Sequence, residues 1–170
     1  MSTAEALPEL ETIADLVRWA ASEFGASDIF YGHGCDNAVD EALAIVLPAL
    51  ALEPGLPSEL YAAKLLASEK RRIAALVRRR VSERIPAAYI TNRAWFANLE
   101  FFIDERVLVP RSPIAELIQA RFSPWIMPEQ VERVLELGTG SGCIAIASAF
   151  AFPDSEVDAV DISKGALEVA

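Results

Sequence analysis

The sequence predicts a mixed α/β chain in three parts. These are a helical segment over 1–85, a β-hairpin and connector over 86–112, and the beginning of a parallel α/β domain over 113–170. Three observations carry this. Apolar residues recur at spacings of three and four through the first half, aromatic and β-branched residues cluster after Pro86, and a strand–glycine loop–helix–strand order follows Glu129. The 170 residues suffice for one ordinary domain, or for a small domain and part of another. With 53% hydrophobic and 24% charged residues the chain is not disordered, and 8 glycines and 10 prolines without a period exclude collagen-like and low-complexity classes.

In the first part, Leu10, Ile13, Val17, Ala20 and Phe24 share one helical face. Pro8 suits the first turn of that helix and Gly25 its end. Tyr31-Gly32-His33-Gly34 reads as a turn, with His33 stabilising it. Asp36 or Asn37 can cap a second helix that Pro48 helps to end, and Asp40 and Glu41 suit the dipole of its first turn. Beyond Pro54, Gly55 and Pro57, Ser58 or Ser68 can cap helical segments reaching about Arg84. Leu66, Ile73, Val77 and Val81 form the apolar stripe there, and most arginines lie elsewhere on the surface. Ala88-Tyr89-Ile90-Thr91 and Leu99–Ile103 read as strands of a hairpin or small meander, with Trp95 and Phe96 between them in sequence and reading as hairpin residues that pack against the helical domain. Arg106–Pro113 is an extended connector, and Pro113 can open a helix ending near Phe122. Val131–Leu137 is then a strand, Gly138–Gly142 a turn, Cys143–Phe152 a helix stopped by Pro153, and Glu156–Asp161 a second strand. Ser163 can cap a further helix. Cys143 leads into apolar Ile-Ala-Ile and reads as a packing residue.

Several classes fall away. The longest apolar stretches, Ala42–Leu52 and Cys143–Phe152, are shorter than the roughly 20 residues that span a bilayer. The acidic N-terminus lacks the positive region of a secretory signal, so a soluble cytoplasmic protein is expected. Cys35 and Cys143 make neither a metal motif nor a disulfide framework, and no metal is expected. The net charge of −10 opposes broad nucleic-acid binding. Yet 64–93 holds nine basic and two acidic residues, a local +7, against −17 elsewhere. This island is either a solvated helix face or a contact for an anionic partner.

The chemistry concentrates in Leu135-Glu136-Leu137-Gly138-Thr139-Gly140-Ser141-Gly142 and Val160-Asp161-Ile162. Glycines permit a tight turn and close approach of a ligand to backbone. A carboxylate at Asp161, at the end of the next strand, suits both hydroxyls of a ribose, where sites of open α/β sheets lie. Two cofactors compete. A dinucleotide loop would be G-x-G-x-x-G, and counted from Gly138 its third glycine is Cys143. Counted from Gly140 it is Ala145, the variant form, so spacing leaves a nicotinamide site open. Glu136 favours S-adenosylmethionine, whose ammonium and sulfonium are cationic, over a pyrophosphate. A purely structural glycine turn is the third reading.

The chain resembles the HemK-like family of glutamine amide-nitrogen methyltransferases, and within it the branch acting on a large-subunit ribosomal protein. The resemblance runs along essentially all 170 residues. It includes Asp15–Trp19, Tyr31-Gly-His-Gly-Cys-Asp-Asn37, Asp40-Glu41-Ala42, Ser68-Glu69-Lys70, Glu83-Arg-Ile-Pro86 with Tyr89, and Ala94-Trp-Phe96. It continues through Asp104–Pro113, Gly138–Ala147 and Val157–Ser163. Val-Pro-Arg-Ser-Pro113 stands where release-factor enzymes of the family usually carry Pro-Arg-Pro-Asp-Thr-Glu.

The resemblance implies a helical substrate-recognition domain joined by a hairpin to a Rossmann-like class I methyltransferase domain. It implies S-adenosylmethionine held by Glu136, Gly138, Thr139, Gly140, Gly142 and Asp161; Arg111, rigid between prolines in the connector, reads as facing cofactor or substrate, or else as part of a structural salt bridge. It also implies a ribosomal-protein substrate; such a protein is basic, so the acidic remainder of the chain suits it, and the basic segment 64–93 suits instead a contact with ribosomal RNA. The family's catalytic Asn-Pro-Pro-Tyr is absent here, so the catalytic residues are unassigned. The chain alone is expected to be inactive and poorly ordered after about Glu129. Alternatives are release-factor glutamine or nucleic-acid adenine methylation, and a non-catalytic protein-binding module.

Overall fold

Thr12 starts the first helix because it answers two unpaired backbone groups. Its Oγ1 accepts the Asp15 N–H at 3.1 Å while Asp15 Oδ2 accepts the Thr12 N–H at 2.9 Å. The computed structural model, which describes residues 8–32 and 34–170, therefore begins helix α1 at Ile13 (Ile13–Gly25). Pro8 lies upstream of it rather than in its first turn. His33 lies outside the described residues. Asn37 caps α2 (Ala38–Ala49), its Oδ1 accepting the Val39 and Asp40 N–H groups at 2.9 and 3.0 Å. Pro48 sits inside the last turn of α2.

A 3-10 turn, Ser58–Ala62, leads to α3 (Ala67–Ser82). Ser68 is inside α3, not its cap. The start is marked instead by Glu69, whose carboxylate accepts the Leu66 N–H at 2.7 Å. Segment 88–91, expected as a strand, lies in a short helix α4 (Ala87–Thr91). Pro86 presets a helical φ at its entrance. The Thr91 hydroxyl donates to the Ala87 carbonyl at 2.9 Å, and Ala87, Ala88 and Ile90 are buried. Packing thus overrides the β preference of Tyr, Ile and Thr.

The chain divides into two units, Met1–Thr91 and Asn92–Ala170. The first has a continuous apolar core in which Leu16, Ala20 and Phe24 of α1 meet Ala42, Ile45 and Val46 of α2 and Ile73 and Val77 of α3. One charged pair sits in it. Arg80 Nε lies 2.5 Å from Glu41 Oε1, with both side chains buried, and a second guanidinium nitrogen donates to the Phe30 carbonyl at 2.8 Å. Glu41 therefore does more than favour the α2 dipole, and Arg80 is the arginine that leaves the solvated face.

In the second unit, β1 (Arg93–Phe96) and β2 (Leu99–Phe102) form an antiparallel hairpin. Ala97 and Asn98 make its two-residue turn, both at positive φ, as the right-handed twist of hairpins favours. Phe96 is buried and Trp95 exposed. Helix α5 (Ile114–Gln119) follows the connector. Strands β3 (Arg133–Leu137) and β4 (Glu156–Val160) pair in parallel, Arg133 opposite Glu156 and Leu137 opposite Val160, with α6 (Cys143–Ala151) between them in sequence. Helix α7 (Lys164–Leu167) is capped by Ser163, whose Oγ accepts the Ala166 N–H at 3.2 Å. Among the described residues no helix is long and apolar enough to cross a membrane.

Candidate functional site

The loop after β3 is built between two carboxylates. Its first two amides, Gly138 and Thr139, donate to the Val160 carbonyl at the end of β4, at 2.8 and 3.0 Å. Glu136, the penultimate residue of β3, accepts the Thr139 hydroxyl at 2.5 Å and the Ala145 N–H at 2.9 Å, both on Oε2. It therefore ties the loop to the first turn of α6. Asp161 reaches from the other side. Its Oδ2 accepts the Gly140 N–H at 2.9 Å and its Oδ1 the Ser163 N–H at 2.8 Å. Those donors, Ser163 first and Gly140 next, hold the Asp161 carboxyl below its ordinary range.

Gly138 and Gly140 take φ of 75° and 56°, and a Cβ at either would meet nothing within 4 Å. The left-handed turn is thus required by the backbone, while the space in front of it is open. Gly142 is different. At φ 76° it caps α6, and a Cβ there would lie 3.2 Å from that of Ala170. Thr139 and Ser141 are buried in the loop. Cys143 is buried too, and desolvation, the largest influence, pushes its thiol up, which disfavours a reactive thiolate.

Glu136, Gly138, Thr139, Gly140, Gly142 and Asp161 therefore converge at the carboxyl ends of two parallel strands. Arg111 does not join them by any hydrogen bond or ion pair. It is exposed on the connector and carries no salt bridge among the described residues. Sequence reasoning missed Arg106, which holds Asp104 at 2.6 Å and Glu168 at 3.1 Å and so ties the connector to the residues after β4. The Asp-x-Arg spacing of 104 and 106 was its local signal. Ser163 was read as a cap only, and its second role, as the amide that fixes Asp161, is a backbone property that no side-chain motif announces. Among the described residues no cluster of His, Cys, Asp or Glu could hold a metal. A separate cleft of about 310 Å³ in the first unit is lined by Asp28, Ile29, Phe30, Arg80, Arg84 and Pro86.

Comparison with known proteins adds to this geometry. No family model matches the chain. It is 52% identical over 163 residues to the ribosomal protein uL3 glutamine methyltransferase of Bordetella pertussis, covering 95% of this chain and 55% of that protein. It is 53% identical over 168 residues to the protein of the same name from Xanthomonas campestris pv. campestris, covering 99% of this chain and 54% of that one. This chain is a relative of the glutamine methyltransferases. That agrees with the resemblance carried by its motifs. The chain spans about half the length of the curated relatives it matches.

Proposed function

We propose that this chain supplies the cofactor loop and the substrate-recognising helices of an S-adenosylmethionine-dependent transfer of a methyl group to a glutamine side-chain amide of ribosomal protein uL3. The observation that carries the reading is the pair of strand-end carboxylates, Glu136 and Asp161, clasping a glycine loop whose Gly138 and Gly140 face open space. In this reading β3, α6 and β4 begin a Rossmann-like methyltransferase sheet, and the first unit recognises the protein substrate. The printed names of the two relatives support the acceptor.

The residues fit the cofactor. Asp161 uses one lone pair on each oxygen for backbone amides, and each oxygen keeps another for a ribose hydroxyl. A Cβ at Gly138 or Gly140 would fill the space in which a nucleoside approaches backbone. Glu136 fixes the loop and places negative charge where a cationic ligand is favoured and a pyrophosphate repelled. When bound, the cofactor supplies an electrophilic methyl group on a sulfonium. The chain's own contribution is position. The loop is ordered by Glu136 and Asp161 before any ligand arrives, which lowers the cost of binding. No Asn-Pro pair occurs in this sequence, so no residue here is assigned to hold the acceptor amide.

Calorimetric titration of the 170-residue chain with S-adenosylhomocysteine, in parallel with NAD, tests the reading. Binding of the former, weakened at least about tenfold by Asp161→Ala through loss of charge-assisted hydrogen bonds, is the expected result. Preference for NAD would replace the cofactor assigned here.

A further inference from the structure

Helix α3 turns its apolar side, Ile73, Ala74 and Val77, to the core, and Arg80 is the one arginine that follows it inward. The opposite side is exposed along its whole length. Ser68, Arg71, Ala75, Arg78 and Ser82 follow one another at alternating spacings of three and four, so they form a single stripe, and Arg72 and Arg79 flank it. Arg71 and Arg78 have no hydrogen-bond or ion-pair partner among the described residues. Arg79 pairs with Glu83 at 3.6 Å and Arg72 donates to the Ala49 carbonyl. The two arginine pairs stand two helical turns apart, about 10 Å at 1.5 Å per residue. Ala75 between them leaves room for a chain to lie against the helix.

We propose that this face of α3 binds the phosphate backbone of RNA. Four features support it. The charge is local, +7 over 64–93 in a chain of net −10, and six of the nine cations of that segment lie on α3 itself. All four exposed cations of α3 are arginines, whose planar fork matches phosphate oxygens two at a time. Their repeat along the helix suits a polymer with regularly spaced charges better than a single carboxylate. No aromatic residue lies on the stripe, so bases are not stacked and the contact reads backbone rather than sequence. The choice of RNA over other polyanions rests on the reading above, in which the substrate is a ribosomal protein. The binding itself needs neither methyl donor nor uL3.

Fluorescence anisotropy of the 170-residue chain with a labelled, unstructured 30-nucleotide single-stranded RNA, across a salt series, tests this. Four phosphate contacts give a log–log salt slope of about −2.8, or an affinity loss of about 50-fold between 50 and 200 mM salt. Replacing Arg71 and Arg78 together by Gln removes two contacts and reduces that loss to about sevenfold. Arg18→Gln, an exposed arginine of α1, leaves the slope unchanged. Circular dichroism of each variant confirms that α3 is intact. The same titration uses a DNA hairpin, poly-glutamate and anionic phosphatidylserine vesicles as competing probes. Absence of RNA binding, a slope insensitive to Arg71 and Arg78, or stronger binding of any competing probe than of RNA overturns the proposal. Loss of cofactor binding in the separate calorimetric titration would touch only the methyltransferase reading.

Discussion

In the first unit Leu16, Phe24, Ile45 and Ile73 lose all solvent exposure, whereas in the second Leu135 and Leu137 stay 62% and 74% exposed. The difference follows from the elements used. Three amphipathic helices can close a core with the faces they already carry. Two parallel strands cannot. Helix α6 lies against one side of the β3–β4 pair, and Leu135, Leu137 and Val160 point away from the covered side. A parallel sheet ordinarily has both faces buried. Stability and ligand geometry are thus separated in this chain. The helical unit holds itself together, and the glycine loop sits on the part with the least packing beneath it.

Amide hydrogen exchange sharpens that contrast most. Amides of α1 and α2 are expected to exchange slowest, and those of β3 roughly 100-fold or more faster, because few apolar contacts oppose opening of the strand pair. A slowly exchanging strand over 133–137 would erase the contrast. Next in size is the buried pair. Glu41→Ala leaves the Arg80 guanidinium buried without its carboxylate and is expected to cost about 3–5 kcal/mol in urea unfolding of the first unit. A loss below 1 kcal/mol would mean that the helical core is looser than its burial suggests. Gly140→Ala acts on the other unit and is smaller, about 1–3 kcal/mol, from forcing an L-residue to positive φ in open space.

Acid adds a weaker test. Asp15 and Asp161 both have lowered pKa values, the first held by the Thr12 hydroxyl and the second by the Ser163 amide. Each contributes stability that is present above its ordinary value of 3.8 and lost as pH falls through the lower, folded value. Asp15→Asn should flatten the acid limb of unfolding in the first unit and Asp161→Asn that in the second, read by residue-resolved NMR. Smallest is Leu137→Lys. On an exposed face it should change stability by no more than about 0.5 kcal/mol while slowing aggregation in light scattering.

The glycine loop's own hydrogen bonding was more legible than the fold around it, whereas Arg111, named with the loop, does not bond to it. Acid-x-Gly-x-Gly-x-Gly and Asp161 are encoded by local spacing, so the meeting of Glu136, the glycines and Asp161 in one loop could be expected from residues alone. What local spacing does not encode was lost. Glu41 and Arg80 are far apart in the chain, so each was read by its neighbours, one as a dipole residue and the other as part of a solvated arginine run. Segment 88–91 was read by propensity as a strand because Tyr, Ile and Thr favour one, while burial of Ala87, Ala88 and Ile90 decided for a helix. Ser58 and Ser68 looked like caps by residue type, yet Leu66 received its partner from Glu69.

The Glu41–Arg80 contact also constrains how this sequence can change over time. The two positions are 39 residues apart, yet loss of either alone strands a charge in the core. A single substitution that removes one of the charges destabilises the core, while a matched exchange to two apolar residues of similar volume need not. The two positions are therefore coupled energetically, so that the effect of changing one depends on what stands at the other.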